Sequence, residues 1–123
     1  LDERTLLIAS TDFTHYGRRF GFAPFGSVEG EGLSAKIRDL DMGAVRHIER
    51  RNAGAFLGYC ERTGATICGR MAVALLLEAI SDAERVESLS LHYASSADVT
   101  GRRADSVSYY AHAFYVLPAQ EER

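Results

Sequence analysis

The sequence predicts an α/β domain, a three-layer sandwich of helices around a central mixed sheet. Three observations carry that expectation. The run "TLLIAST" at residues 5–11 is apolar without alternation, as in a strand covered on both faces. Two long stretches, 33–52 and 66–81, are apolar at helical spacing. The run "SVSYYAHAFYV" at 106–116 is rich in aromatic and β-branched residues, which suit a pleated surface. With 123 residues, 46% of them hydrophobic, one core is within reach of the chain.

In order along the chain, residues 5–11 form the first expected strand. Residues 15–32, "HYGRRFGFAPFGSVEGEG", form a long loop rich in Gly and aromatics, of a length usually tied to function. In "LSAKIRDLDMGAVRHIERRN" (33–52), Leu33, Ile37, Leu40, Val45 and Ile48 make one stripe with charges opposite. Gly43 weakens the middle of that helix and marks a point where it could break. "AGAFLGYCERTG" (53–64) is a short helix closed by Gly64 in the left-handed conformation. "TICGRMAVALLLEAIS" (66–81) is apolar on most sides, so it is buried on most sides. "VESLSLHYASS" (86–96) alternates imperfectly through Val86, Leu89, Leu91 and Tyr93 and is a second strand. "DVTGRRAD" (98–105) is a polar turn, 106–116 is the third strand, and residues 118–123 are a frayed tail. No repeat or internal boundary divides residues 1–123.

Composition excludes several functions. The net charge of −3, with 25% charged residues, lacks the basic face of a nucleic-acid binder. The longest apolar run, "MAVALLLEAI", is interrupted by Glu78 and is far short of the roughly 20 residues that span a bilayer, so no membrane role is expected. Two cysteines are too few for a disulfide framework and fit a reducing cytosol, and no leader for export is visible. A strand expected so soon after Leu1 suggests that the chain begins inside a longer protein. Its strand then needs a neighbour from an absent N-terminal half or from a complementary chain.

Two constellations carry chemistry. "STDFTHYG" (10–17) places Asp12 and His15 just past the expected strand, where polar groups that do chemistry collect in open α/β sheets. An acid beside an imidazole fixes its tautomer and suits general acid/base work. The same residues would also serve as a capped turn with His15 exposed. "TICGR" (66–70) puts Cys68 at a helix start, near Arg70, where the helix dipole favours a reactive or metal-ligating thiolate. An inert packed thiol is the competing account, and it is the one that fits Cys60 on an apolar helix face without a cation. His47 is expected on a solvated surface, and His92 and His112 as hydrogen-bonded strand residues. Arg18 and Arg19 sit in a solvated loop.

These constellations, in this order, give the chain a resemblance to the Memo family, which includes the B component of the AmmeMemoRadiSam system. The blocks that carry it are "STDFTHYGRRFGFAPFG", "IRDLDMGA", "GATICGRMAVALLLEAI" and "YASSADVTGRRADSVSYYAHAF". They resemble the C-terminal half of that family. The resemblance implies the fold of class III extradiol dioxygenases. It also implies a metal pocket in which Cys68 joins two histidines of the N-terminal half, with Asp12 and His15 lining the same pocket and His15 in the acid/base position. A thiolate in place of the dioxygenases' carboxylate shifts the expected metal towards copper, with iron or zinc as alternatives.

Two functions follow as expectations. One is a metal-dependent redox enzyme, a possibility the thiolate separates from ring-cleaving dioxygenases, acting on a small molecule beside AMMECR-type and radical-SAM proteins in the cytoplasm. The other is a non-catalytic module that uses the same pocket to hold a peptide or to handle copper.

Overall fold

A computed structural model describes residues 1–26 and 31–118. The frayed tail expected at 118–123, and the part of the aromatic loop at 27–30, therefore lie largely outside the described residues. The order of elements is β1 (His15–Tyr16), a 3-10 turn (Arg18–Phe20), α1 (Glu31–Glu49), α2 (Ala53–Thr63), α3 (Arg70–Ala79), β2 (Val86–Ser95), α4 (Ala97–Thr100) and β3 (Ser106–Val116). The fold is mixed α/β, with a three-stranded sheet in the order β1-β3-β2. Both pairings are antiparallel, so the sheet is not mixed among the described residues.

The helices follow from their stripes and stops. In α1, Leu33, Ile37, Val45 and Ile48 are buried as the spacing predicts, and Ala44 and Asp41 join them. The helix does not break at Gly43. A Cβ there would lie 2.0 Å from the Tyr59 hydroxyl of α2, so the glycine permits a close helix–helix approach. Tyr59 uses that approach to donate a 2.6 Å hydrogen bond to the Leu40 carbonyl. Asn52 caps α2 by accepting from the Ala55 amide at 3.0 Å. Gly64 closes α2 at φ 69°, as the sequence predicts. Arg51 ties this junction to the end of α3 through bonds from Nη1 to the Ile80 and Ala83 carbonyls.

The core lies between α1–α3 and one face of the sheet. Phe56, Cys60, Ile67, Val73 and Leu77 meet Phe13, Val45 and Ile48, and Tyr110 and Phe114 of β3 close over them. A smaller cluster joins Tyr16 to Leu33 and Ile37.

Two sequence expectations need correction. Residues 5–11 are not a strand: they carry no ladder pairing among the described residues, and Leu6 and Ile8 are 80% and 79% exposed. Apolar character alone does not make a strand, because the backbone groups also need partners on a neighbouring chain segment. The pairing begins later. Phe13 N–H donates to the Ser108 carbonyl at 2.8 Å, Ser108 N–H donates to Thr14 O at 3.0 Å, and β1 continues the ladder. The second correction explains the imperfect alternation of β2. Its register with β3 shifts between Ser90 and His92, so Leu91 is a bulge and the side chains on the face of Tyr110, His112 and Phe114 change from Ser88 and Ser90 to Tyr93 and Ser95. One smaller adjustment applies to the polar turn at 98–105, which overlaps the single helical turn α4.

Candidate metal centre

Two threonines bring the two constellations together. The Thr66 hydroxyl accepts from the His15 amide at 2.8 Å and donates to the His15 carbonyl at 2.7 Å. The Thr11 hydroxyl accepts from the Gly69 amide at 2.7 Å and donates to the Asp12 carbonyl at 2.8 Å. Together they staple residues 11–15 to residues 66–69. Gly69 is required for this contact: a Cβ there would fall 2.4 Å from Thr11 Cβ and 3.0 Å from the Ser10 carbonyl.

The consequence is convergence. One ligand atom each from Asp12, His15 and Cys68 lies within 4.8 Å of the others. His15 Nε2 is buried and has no hydrogen-bond partner among the described residues. A buried polar nitrogen without a partner is costly, and a bound ion would relieve it. The His15 ring stands edge-on to Phe20 at 5.2 Å between centroids. Around them His15, Phe20, Thr66, Ile67, Cys68 and Arg70 line a shallow pocket of about 320 Å³.

The placement differs in detail from the sequence expectation. His15 is not past a strand but within β1, and Asp12 immediately precedes the paired segment. Cys68 lies in the turn before α3, whose N-cap is Gly69, so the helix begins later than the residue 66 expected. The thiol is exposed and 3.7 Å from the Thr11 hydroxyl. Cys60 is buried in the core, and burial pushes its thiol pKa up while Arg70 opposes the shift. Arg70 thus acts on the cysteine that the sequence placed away from any cation. His47 is half-buried rather than solvated, packed against the Tyr59 ring at 5.5 Å. The sequence marks Thr11 only as a turn cap alternative to Asp12 and does not mark Thr66, although both stand inside the two motifs.

Exposure gives a direct test of the two thiols. Iodoacetamide at neutral pH should modify Cys68 in the folded protein and reach Cys60 only on unfolding, because alkylation requires access to sulfur. Mass-spectrometric mapping that finds both labelled at one rate would remove this distinction.

Beneath the site lies a polar cluster that sequence reasoning missed. Asp41 of α1 is fully buried. Its carboxylate accepts from the Thr14 hydroxyl and the Tyr93 hydroxyl, each at 2.6 Å, from the Thr14 amide at 3.3 Å, and from the Ser108 hydroxyl. Burial first, and then the Asp41 charge, push the Tyr93 hydroxyl pKa upward, so Tyr93 keeps its proton and remains a donor. The cluster ties α1, β2 and β3 to the residue next to His15. No local signal marks it, since "DLD" on a helix offers one acid to the core and another to solvent without distinguishing them.

The Memo-like protein family model matches residues 1–113. The chain belongs to the Memo family. It is 34% identical over 122 residues to the Caenorhabditis elegans protein memo-1 homolog, covering 95% of this chain and 35% of that protein. It is 32% identical over 119 residues to protein MEMO1 of Homo sapiens, covering 94% of this chain and 40% of that protein. Protein MEMO1 of Danio rerio shows the same identity and coverage. This Memo-family chain therefore spans well under half the length of these relatives. No helix among its described residues is long and apolar enough to cross a membrane.

Proposed function

We propose that this chain contributes Cys68 as a ligand of a transition-metal centre, with His15 and Asp12 lining the same pocket, and that the completed Memo-type protein is a metal-dependent redox enzyme for a small molecule. The observation that carries this reading is the convergence of three donor atoms within 4.8 Å around a buried, unpartnered His15 Nε2. The donor set fits a transition metal: thiolate sulfur is soft, imidazole is intermediate, and together they favour copper or zinc over magnesium or calcium. Bound copper would supply one-electron chemistry. Cys68 Sγ, on the exposed side of the pocket, would hold the metal. His15 Nε2 faces the same point, where it would hold or move a proton, and the Asp12 carboxylate lines the pocket beside it.

The remainder of a Memo-length protein, or a second chain, is proposed to complete both the ligand set and the sheet. The exposed apolar run at residues 6–8 supports this, because it has the composition of a strand yet has no ladder partner among the described residues. The three-layer extradiol-dioxygenase-like sandwich belongs to that completed protein. So does a place beside AMMECR-type and radical-SAM proteins in the cytoplasm.

A second reading, copper handling without turnover, is favoured by the exposure of Cys68, which leaves the sulfur open to exchange with another carrier. Metal analysis of the intact protein, followed by oxygen consumption with candidate substrates, separates the two. Wild-type protein should retain copper, and Cys68→Ser should lower metal affinity by about 100-fold or more, beyond the 10–100-fold loss typical of supporting residues. His15→Ala should keep most of the metal and lose oxygen consumption if His15 is the acid/base. Undiminished metal in Cys68→Ser would sink the proposal.

A further inference from the structure

The hairpin of β2 and β3 carries a second chemical arrangement, away from Asp12, His15 and Cys68. The Ser88 hydroxyl lies 2.6 Å from His112 Nε2. His112 Nδ1 lies 2.9 Å from the Tyr110 hydroxyl, which donates to Ser90 Oγ at 2.9 Å. With the Tyr110 proton committed to Ser90, the tyrosine oxygen accepts from Nδ1–H, and Nε2 is left to accept from Ser88. That is the tautomer a general base requires, set by a third group as in nucleophile–base–orienter sites.

We propose that Ser88, His112 and Tyr110 form a metal-independent nucleophilic site in which Ser88 accepts an acyl group from an unhindered carboxylic ester. The packing, the protonation states of His112 and Tyr110, and the strand edge support it. Ser88 is exposed while the His112 ring is half-buried, packed on Phe114 at 4.5 Å between centroids. Burial lowers the His112 pKa against the opposing pull of Glu49, which keeps the imidazole neutral. Burial raises the Tyr110 pKa, which keeps the phenol protonated.

The third feature is the strand edge. The Leu117 amide donates to the Arg85 carbonyl at 2.8 Å, so the antiparallel alternation makes 87/115 and 89/113 the bonded pairs. The Ser88 and Ser90 amides therefore turn to the other edge of β2, where no described strand lies. An acyl chain can lie along that edge, with the amide of the nucleophile itself available to the carbonyl oxygen, as in serine hydrolases.

The reaction balances as ester hydrolysis. Ser88 Oγ bonds to the carbonyl carbon while its proton passes to Nε2. The bond from that carbon to the leaving oxygen then breaks, and the departing alcohol takes the proton from Nε2. Water repeats the sequence on acyl-Ser88 and releases the acid. Throughout, the Nδ1 proton stays on its bond to Tyr110.

The test uses p-nitrophenyl acetate on the intact protein with a chelator present, so that failure of the metal centre leaves it unaffected. The expected result is a burst of p-nitrophenolate and an acetyl group mapped to Ser88 by mass spectrometry. Ser88→Ala should abolish both, and His112→Gln should slow the burst by about 100-fold or more, the range of a general base. Circular dichroism checks each variant. If His112→Gln fails to fold, Tyr110→Phe, which keeps the ring packing, decides by a slower burst. Acetylation at Cys68 or elsewhere without Ser88, or a burst rate unchanged in the deciding variant, overturns the proposal.

Discussion

Asp41→Ala should destabilise the protein by about 3–5 kcal/mol, the range for removing one partner from a buried charged network. The substitution removes the acceptor for three hydroxyls at once, those of Thr14, Tyr93 and Ser108. Each buried donor left unmet costs about 1–3 kcal/mol, and partial rearrangement keeps the sum below the maximum. Tyr93 has the least freedom to adapt, because its hydroxyl sits at the end of a rigid ring, whereas the Thr14 and Ser108 hydroxyls can rotate towards other acceptors. Asp41→Asn should be milder, since the amide keeps the shape and one acceptor, and serine and threonine hydroxyls can turn to accept from its NH₂. Urea unfolding of the two variants beside the wild type measures this. The total stability of a domain is only about 5–15 kcal/mol, so Asp41→Ala should remove a large share of it and lower the urea midpoint clearly. A loss within about 0.5 kcal/mol of zero, the range of an ordinary surface substitution, would mean the network does not hold the elements together.

Gly69→Ala is expected to damage the metal centre through packing rather than through any donor atom. The added Cβ would meet Thr11 Cβ at 2.4 Å, Thr11 Oγ1 at 2.5 Å and the Ser10 carbonyl at 3.0 Å. Segment 10–12 must move away, which breaks the bond from the Gly69 amide to Thr11 and separates Asp12 from Cys68. Overpacking of this kind costs about 1–3 kcal/mol of stability. Metal affinity should fall by about 10–100-fold, as when supporting groups around a ligand set are lost. A compensating Thr11→Gly change in the same chain removes the two closest contacts and should recover much of the stability. It should not recover all the metal affinity, because the hydroxyl clamp is gone. Metal titration of the single and double variants reads this directly. Wild-type affinity in Gly69→Ala would show that the Thr11–Gly69 contact does not position the donors.

Residues 5–11 show where local pattern misleads. They have the composition of a buried strand, yet Leu6 and Ile8 are exposed and the backbone finds no ladder among the described residues. Composition reports that a segment would gain from being covered. It cannot report whether the covering segment belongs to the same chain. The bulge at Leu91 is the opposite case: the broken alternation in the sequence was a true signal of a register shift, legible once the partner strand is known.

What the sequence determined by itself was everything written in short-range periodicity and stereochemistry. The stripe of α1, the Gly64 stop of α2 and the span of β3 over 106–116 all depend on neighbours a few residues away. The two motifs that supply Asp12, His15 and Cys68 were likewise visible as motifs. Only the tertiary structure decided that they meet, because Thr66 must clamp His15 across 51 positions of chain and Thr11 must reach Gly69 across 58. It also decided which acid of "DLD" is buried, since the three hydroxyls that donate to Asp41 in the core come from three other segments. A carboxylate is tolerated in a core only where donors converge on it, and convergence is a property of the folded chain.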